Sequence, residues 1–166
     1  MTLRANVVMQ FSATETASEG LVAASRSTAI DYSHVITDGT EAGQAQVLWT
    51  SSRTVDDTGE TLNARALPDT RSGASATVDI SATKVLVIRN TSDVQTLKIQ
   101  TAAPSVWLPF PATVALAIPP GGVYAVSARD AAGYAHGAIA EASIEAADAN
   151  DDCTYEILVI GEGSVS

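Results

Sequence analysis

Short apolar runs that alternate with turn-forming residues place the strongest constraint on how this chain can fold. The runs are rich in Val and Ile, and glycine-containing turn signals separate them, among them Gly59 in "DTGE", Gly73 in "RSGAS" and Gly133 in "RDAAGY". Short strands spaced by roughly 8–12 residues are typical of β-sandwiches and β-barrels. The pattern therefore predicts an all-β fold.

Two of the runs differ from the rest. "KVLVIRN" (84–90) and "YEILVIG" (155–161) are almost continuously apolar, whereas most of the others alternate with a period of two. Continuous runs of this length are typical of central strands that are covered on both faces. We place strands near residues 5–11, 30–36, 45–54, 60–66, 76–80, 83–90, 95–101, 113–118, 122–128, 138–146 and 153–161.

The segment "GAIAEASIEA" (137–146) is compatible with two structures. Its Ala and Glu residues favour a helix, but Ile139 and Ile144 are five residues apart and do not form one helical stripe. Ala140, Ala142, Ile144 and Ala146 instead form one face of an alternating pattern. We therefore predict a strand, with a helix as the alternative.

The stretch "LAIPPGGVYAVSA" (116–128) could be a ligand-binding glycine loop or a turn between two strands. Pro119 and Pro120 cannot donate ladder hydrogen bonds, so the preceding strand must end there. Gly121 and Gly122 can supply the positive φ that reverses the chain. A phosphate-binding loop would place its amides at a helix N-terminus, and here a strand-like run follows. The sequence therefore predicts a turn.

The 166 residues fit a single domain. Residues 12–30 are small, polar and weakly patterned, so we expect them to be an arm or loop outside the core. The predicted organisation is an N-terminal arm or loop (1–28) followed by a single antiparallel β-sandwich of the jelly-roll type (29–166).

Charge and composition exclude several classes of function. The formal net charge is −10 and the nine basic residues are scattered, so the chain has no basic stripe of the kind that binds nucleic acid. Cys153 is the single cysteine, which excludes an internal disulfide and argues against a cysteine zinc site. We interpret Cys153 as a small buried hydrophobe, and we expect no metal or other cofactor.

No segment approaches 18 consecutive apolar residues, and the N-terminus lacks an apolar stretch of signal-peptide length. We therefore expect no membrane partner and no export by the usual signal route.

No pattern of catalytic residues emerges either. In "DYSH" (31–34), Asp31, Ser33 and His34 are close in sequence, but successive residues on a strand point to opposite faces. Asp148 and Asp152 in "DANDDC" match the first half of a calcium loop, yet the Gly and Glu that such a loop needs are missing. We expect no enzymatic activity and assign no catalytic residue.

The two tryptophans are the main candidates for a binding surface. Trp49 lies in a strand-like run and is expected in the core. Trp107 lies between prolines in "PSVWLPFPATV", close to Phe110. For this pair, a contact surface and a place in the core both remain open, because buried and exposed aromatic side chains are equally compatible with the pattern.

One ordered set of motifs is more specific than any single one. It runs from "AIDYSHVITDGTEAGQAQVLWTSSRTV" through "TKVLVIRNTS" and "VALAIPPGGVYAVSARDAAGYA" to "CTYEILVIG", across about residues 29–161. In this order the chain resembles the β-sandwich virion proteins of tailed bacteriophages, such as capsid decoration (cement) proteins and head fibres. In the middle, "LNARAL" departs from the Leu-Asp-Leu-like run expected there.

The resemblance implies a non-enzymatic capsid decoration protein that binds the major capsid protein and stabilises the head. It further implies a homo-oligomer, with a trimer as the expected form, made in the host cytoplasm and located on the capsid exterior. We hypothesise that the N-terminal arm crosses onto a neighbouring subunit, and that Arg4, Phe11, Trp107 and Phe110 form the contact surface. The alternative function is a receptor- or glycan-binding module of a fibre or tail.

Overall fold

The structure, a computed structural model, describes residues 2–19, 22–69, 76–101, 106–107, 109–111, 114–149 and 151–166. These residues form strands, turns and irregular connections, which confirms the predicted all-β class. The strands are β1 (Arg4–Glu19), β2 (Val22–Asp38), β3 (Gln44–Ala45), β4 (Val47–Val55), β5 (Glu60–Asn63), β6 (Leu67–Asp69), β7 (Ala76–Asn90), β8 (Leu97–Gln100), β9 (Leu116–Ile118), β10 (Val123–Ser127), β11 (Tyr134–Ala135), β12 (Glu141–Ala146) and β13 (Cys153–Val165). Within the described ranges, no helix is long and apolar enough to cross a membrane.

Two antiparallel sheets face each other across one core. The main sheet has the path β10-β7-β13-β4, and the second sheet has the order β5-β12-β8-β9. The pairing is nested along the chain, because β4 pairs with β13, β5 with β12, β7 with β10 and β8 with β9. Apolar side chains of both sheets meet in a single buried cluster, so the chain is an antiparallel β-sandwich.

The two continuously apolar runs form the centre of the main sheet, as predicted. β7 and β13 pair along most of their length, with an irregularity at Gly161. A side chain at Gly161 would lie 2.3 Å from the carbonyl oxygen of Ala82, so the strands can approach this closely only with glycine there. The two strands predicted at 76–80 and 83–90 are one continuous strand, β7.

The ambiguous segment is strand β12, which excludes the helical alternative. Its alternating residues Ala140, Ala142, Ile144 and Ala146 are all buried, whereas Ile139 is exposed. A helix would have spread these side chains around its circumference, but the strand places them on one face.

The proline–glycine stretch is a turn between β9 and β10, as predicted. The N–H of Gly122 donates to the carbonyl of Pro119 at 2.9 Å, and Gly121 has a φ of 70°. This matches a type II turn, with Pro120 and Gly121 as the central residues. Gly122 does not have a positive φ. It is needed for a different reason, because a Cβ there would lie 2.8 Å from the oxygen of Pro119.

Asn90 connects the motifs that carry the resemblance. Its buried side chain donates to the carbonyls of Gln95 (2.7 Å) and Ile118 (2.9 Å), and its Oδ1 accepts from the N–H of Ser92 at 3.0 Å. The thiol of Cys153, also buried as predicted, lies 3.4 Å from the same oxygen. The "IRNTS", "PPGG" and "CTYEILVIG" stretches therefore meet at one end of the sandwich.

The N-terminal region is a paired ribbon. β1 and β2 form an antiparallel hairpin that pairs continuously from Arg4 and Thr37 to Glu19 and Val22. The described part of residues 12–30 is therefore strand and not loop, and its described side chains, at 12–15 and 27–30, are exposed, as expected for an arm outside the core. The domain boundary predicted between residues 28 and 29 falls inside β2, whose pairing continues across it.

Candidate functional site

The hairpin formed by β1 and β2 has two chemically different faces. Its register places Ala5 opposite Ile36, Val7 opposite His34, Met9 opposite Tyr32 and Phe11 opposite Ile30. Because cross-strand partners share a face and successive residues alternate, these side chains form one face, which we call the apolar face. The opposite face is mostly polar and carries Arg4, Asn6, Gln10, Asp31 and Ser33.

The base of the apolar face packs on the outer surface of the main sheet. Leu3 and Ile36 are buried in a cluster with Val85 and Ile160. His34 is also buried, and its Nε2 lies 3.4 Å from the hydroxyl of Ser127. Burial, and to a smaller degree the charge of Arg129, lowers the pKa of His34, so the ring is neutral where it meets the sheet.

The outer half of the hairpin leaves the sheet. Every described side chain in residues 10–15 and 27–33 is exposed, and Phe11 and Ile30 are each 67% exposed although Ile36 on the same face is 1% exposed. From the Met9–Tyr32 pair to the end of the ribbon, about ten residues at roughly 3.3 Å each give a projection of about 30 Å. The apolar face is thus partnered at its base and, at residues 10–15 and 27–33, unpartnered.

A groove of about 280 Å³ lies where the hairpin leaves the sheet. Apolar side chains line it from both sides, with Val7 and Met9 on the hairpin and Val87 and Leu158 on the sheet. Beyond the groove the outer surface of the main sheet is uncovered. That uncovered part, which we call the open sheet face, bounds a depression of about 540 Å³ and includes Val87, Val123, Leu158, Thr50, Ser52, Arg89 and Glu156.

Trp107 and Phe110 do not belong to a contact surface, so the interpretation that placed them there is wrong. They are 0% and 1% exposed, and their rings pack edge to face with centroids 5.6 Å apart. The indole N–H of Trp107 donates to the hydroxyl of Thr83 at 3.4 Å. Trp49 is buried as predicted, with its N–H donating to the carbonyl of Pro68.

Arg4 and Phe11, the other two residues of the hypothesised contact surface, are both exposed. They lie on opposite faces of the hairpin, since their positions differ by an odd number along one strand. The structure therefore keeps Phe11 as a candidate contact residue and pairs it with Ile30, which the sequence did not single out. It places Arg4 near the base, on the polar face.

The sequence also missed Met9 and Tyr32 on this surface. A signal was present, because uncharged residues at 3, 5, 7, 9, 11 and 13 alternate with the polar residues Arg4, Asn6, Gln10 and Ser12, although Val8 interrupts the pattern. The returning strand is rich in Ser, Thr and Ala, which weakens the same alternation in β2. Only the register of the hairpin shows that both strands contribute to one apolar face.

A buried polar cluster lies on the main sheet, away from the hairpin's outer half. Lys84 is 1% exposed, and its ammonium donates to the carbonyls of Asp130 (2.9 Å) and Ala131 and pairs with Glu162 at 2.9 Å. These contacts fix the 128–133 loop against β7 and β13. Nothing in "KVLVIRN" distinguished this buried lysine from an exposed one.

Beside this cluster, the hydroxyl of Thr83 lies 2.8 Å from His136 Nε2. Burial, with a smaller contribution from Arg65, lowers the pKa of His136 to about 4. The imidazole is therefore neutral at pH 7, where it packs against the indole of Trp107.

A second buried group joins the two sheets. The hydroxyl of Tyr155 donates to Glu60 Oε1 at 2.8 Å, and Arg53 binds both oxygens of the same carboxylate. Burial raises the pKa of Glu60, but the hydrogen bonds from Arg53 and Tyr155 outweigh it and hold that pKa below its usual range. Burial, followed by the Glu60 contact, raises the pKa of Tyr155. These groups serve to connect β4 and β13 to β5.

In the described part of the chain, two hydroxyl–imidazole pairs form, Thr83–His136 and Ser127–His34, but the Nδ1 atom of neither ring has a hydrogen-bond partner that would complete a triad. No group of three or more His, Cys, Asp or Glu residues there is arranged to hold a metal ion. Asp31 and Ser33 lie on the polar face of the hairpin and His34 on the apolar face. The amphipathic hairpin is therefore the candidate functional site, and what it can do is bind. Comparisons with protein-family models, curated proteins and solved structures gave no match.

Proposed function

We propose that the chain is a non-enzymatic structural subunit of a tailed-bacteriophage virion. In this proposal it is a capsid decoration, or cement, protein that binds the major capsid protein on the exterior of the head. One observation carries the proposal: a closed sandwich holds a long hairpin whose apolar face is buried at its base and unpartnered over its outer half. An exposed apolar surface of this kind marks an interaction site in a soluble protein.

The strand order supports the proposal. Nested pairing of eight strands along the paths β10-β7-β13-β4 and β5-β12-β8-β9 is compatible with a jelly roll, an arrangement that is common among viral capsid proteins. The motifs of the resemblance also support it, because they meet around Asn90 as one structural unit. The net charge of −10 keeps a surface of many copies soluble and favours neutral or basic binding partners.

A receptor- or glycan-binding module of a fibre or tail is the second candidate, since jelly rolls also occur in lectins. A glycan site of the usual kind needs exposed aromatic rings. Both tryptophans are buried, and Phe11 and Tyr32 lie on a narrow ribbon with no polar side chain between them on the apolar face. This arrangement favours a protein partner over a sugar.

Copy number and position in the virion test the proposal. Particles of the virus that encodes the chain are purified, and the protein is quantified by mass spectrometry against the major capsid protein. Hundreds of copies, seen on the head by electron microscopy, would support a decoration protein. A handful of copies at the tail would favour the second candidate, and absence from the particles would overturn both.

A hairpin variant then tests the attachment element. The outer half, residues 10–31, is replaced by Asn-Gly, which closes a two-residue hairpin between Met9 and Tyr32. The variant keeps the packed base, so it is expected to fold but not to co-sediment with particles that lack the protein. Val8→Asp, which changes the polar face, is the matched control and is expected to co-sediment.

A further inference from the structure

We infer that the outer half of the hairpin docks onto the open sheet face of a second copy of this chain. The inference rests on the proposed function: the apolar face joins copies of the chain to one another, and the oligomer so formed binds the capsid shell, so loss of the hairpin is expected to weaken both. The contact would join two different surfaces of the same chain, with Phe11 and Ile30 on the hairpin side and Val87, Val123 and Leu158 on the sheet side.

The contact already formed within one chain is the first argument. The base of the apolar face packs on the outer surface of the main sheet through Leu3, Ile36, Val85 and Ile160. Both surfaces extend beyond this packed area, the hairpin toward Phe11 and Ile30 and the sheet toward Val123. The proposed contact thus repeats a packing that the chain already makes, with the next residues along each surface.

The two unpartnered surfaces also adjoin. Val87 and Leu158 line the groove beside the hairpin, and the same two residues line the depression of the open sheet face. A second hairpin that enters this depression would therefore extend the packed area without a gap.

Charge favours a copy of the same chain at this place. On the apolar face, the side chains at residues 3, 5, 7, 9, 11 and 13 and at 28, 30, 32, 34 and 36 carry no formal charge, because His34 is neutral, and the next pair outward, Glu15 and Arg26, is one residue of each sign. On the open sheet face, Arg89 and Glu156 lie 3.9 Å apart and balance each other. Two copies that each carry a net charge of −10 repel elsewhere, but here the surfaces that meet are neutral.

The symmetry of the assembly follows from the contact. A surface that binds a different surface of the next copy gives a heterologous interface, which closes into a ring or continues as a fibre. In a closed ring each chain donates one hairpin and receives one. The projection of about 30 Å is comparable to the dimension of a small domain, so the hairpin can reach a neighbour that lies beside its own sandwich.

Sedimentation velocity and native mass spectrometry of the isolated protein test the inference. The wild-type chain is expected to form an oligomer. Phe11→Asp and Val123→Asp are each expected to give monomers, because each places a charge on one of the two surfaces. Val8→Asp is the matched control, since Val8 is 61% exposed on the polar face of the same hairpin, and it is expected to remain oligomeric.

Mixing the two monomeric variants distinguishes the proposed contact from others. Phe11→Asp keeps an intact sheet surface and Val123→Asp keeps an intact hairpin, so an equimolar mixture is expected to form a one-to-one dimer. If the hairpins instead bind each other, Val123→Asp alone stays oligomeric, and either that result or a mixture that stays monomeric shows that the inference is wrong. Circular dichroism monitors folding, and Thr50→Lys supplies a second sheet-side variant should Val123→Asp unfold.

A monomeric wild-type protein at the highest soluble concentration would also overturn the inference. That result would leave the proposed function intact, because a monomer can still be present in many copies on the head. Conversely, an oligomer whose protein is absent from purified particles would support the inference and overturn the proposed function.

Discussion

The sandwich and the hairpin are built from the same kind of alternating strand, yet their side chains have opposite fates. In the sandwich, the alternate residues of β12 and β8 are buried against a second sheet. In the hairpin, the same alternation continues through Phe11 and Ile30 to side chains that face no other part of the chain. Alternation therefore fixes which residues share a face, and a second layer decides whether that face is buried.

The sandwich and the outer half of the hairpin also differ in how much they contribute to the stability of the fold. The buried polar side chains of Asn90 and Tyr155 have hydrogen-bond partners, and they hold the two sheets in one arrangement. The outer half of the hairpin contributes little burial of its own. The outer half thus exposes apolar side chains and adds little to the stability of the fold. Binding to a partner explains this combination best.

The largest expected effect is loss of the buried indole. Trp107→Ala should lower the free energy of unfolding by about 3–5 kcal/mol, because it opens a cavity in the core. Phe11→Ala also truncates an aromatic side chain, but it should lower the free energy of unfolding by less than about 1 kcal/mol, which is the interaction energy of a typical cross-strand pair. Urea unfolding of both variants measures the difference. Equal losses would show that the hairpin is as much a part of the folding unit as the core.

The next effect concerns the polar group that joins the sheets. Asn90→Ala should cost about 2–3 kcal/mol, because it leaves the buried carbonyls of Gln95 and Ile118 without their donor. Asn6→Ala on the exposed face of the hairpin is the matched control and should change stability by less than about 0.5 kcal/mol. The same urea titration measures both. A small effect at Asn90 would contradict the role of this side chain as the connection between the two sheets.

A pH dependence of similar origin is expected from His136. Its pKa is about 4 in the folded chain against 6.5 for an unperturbed histidine, so the unfolded chain binds the proton first as the pH falls. The contribution to stability is complete above pH 6.5 and is lost as the pH falls from 6.5 to about 4. Partial exposure of the ring limits the loss to the order of 2 kcal/mol.

Unfolding free energies of wild type and His136→Gln at several pH values check this. The difference in free energy of unfolding between the two proteins should change with pH only between pH 6.5 and about 4. Both proteins contain His34, so its contribution cancels in this difference. A difference that is independent of pH would show that His136 has the same pKa in the folded and unfolded chains. Arg65, which pairs with Asp79 at 2.7 Å, is the charged residue that contributes to the lowered pKa of His136.

Local patterns predicted much of the sandwich. The alternation at Ala140, Ala142, Ile144 and Ala146 identified β12 against a strong helical composition, and Pro119 and Pro120 placed the turn before β10. These features depend on neighbours in sequence and on rules that hold for any sheet. They did not determine whether a strand continues, as the single strand β7 shows.

Side chains whose environment comes from distant parts of the chain could not be predicted. Trp107 is buried because Thr83 and His136 reach it from other elements, and Lys84 is buried because a loop more than forty residues away supplies its carbonyls. The hairpin was missed for a different reason. The described side chains of its outer half, at 10–15 and 27–33, are exposed on both faces, so no burial sharpens the pattern there, and register in such strands is weakly encoded.

The smallest effect on the free energy of global unfolding is expected from substitutions in the outer half of the hairpin. The double variant Phe11→Ser, Ile30→Thr removes the apolar pair of the outer half but keeps β-compatible residues, so it should change the free energy of global unfolding by less than about 1 kcal/mol when measured on the monomer. Its effect should be local. Amide hydrogen exchange at residues 10–15 and 27–33 should be faster than in the wild type, whereas the amides near Leu3 and Ile36 should keep their protection, because the packed base opens only with the sandwich.

The variant Leu3→Ala supplies the opposite case, since it weakens the base and should raise exchange along the whole ribbon. If the double variant instead accelerates exchange at the base, the hairpin is one cooperative unit with the sandwich, and its outer half is held for stability and not for a partner.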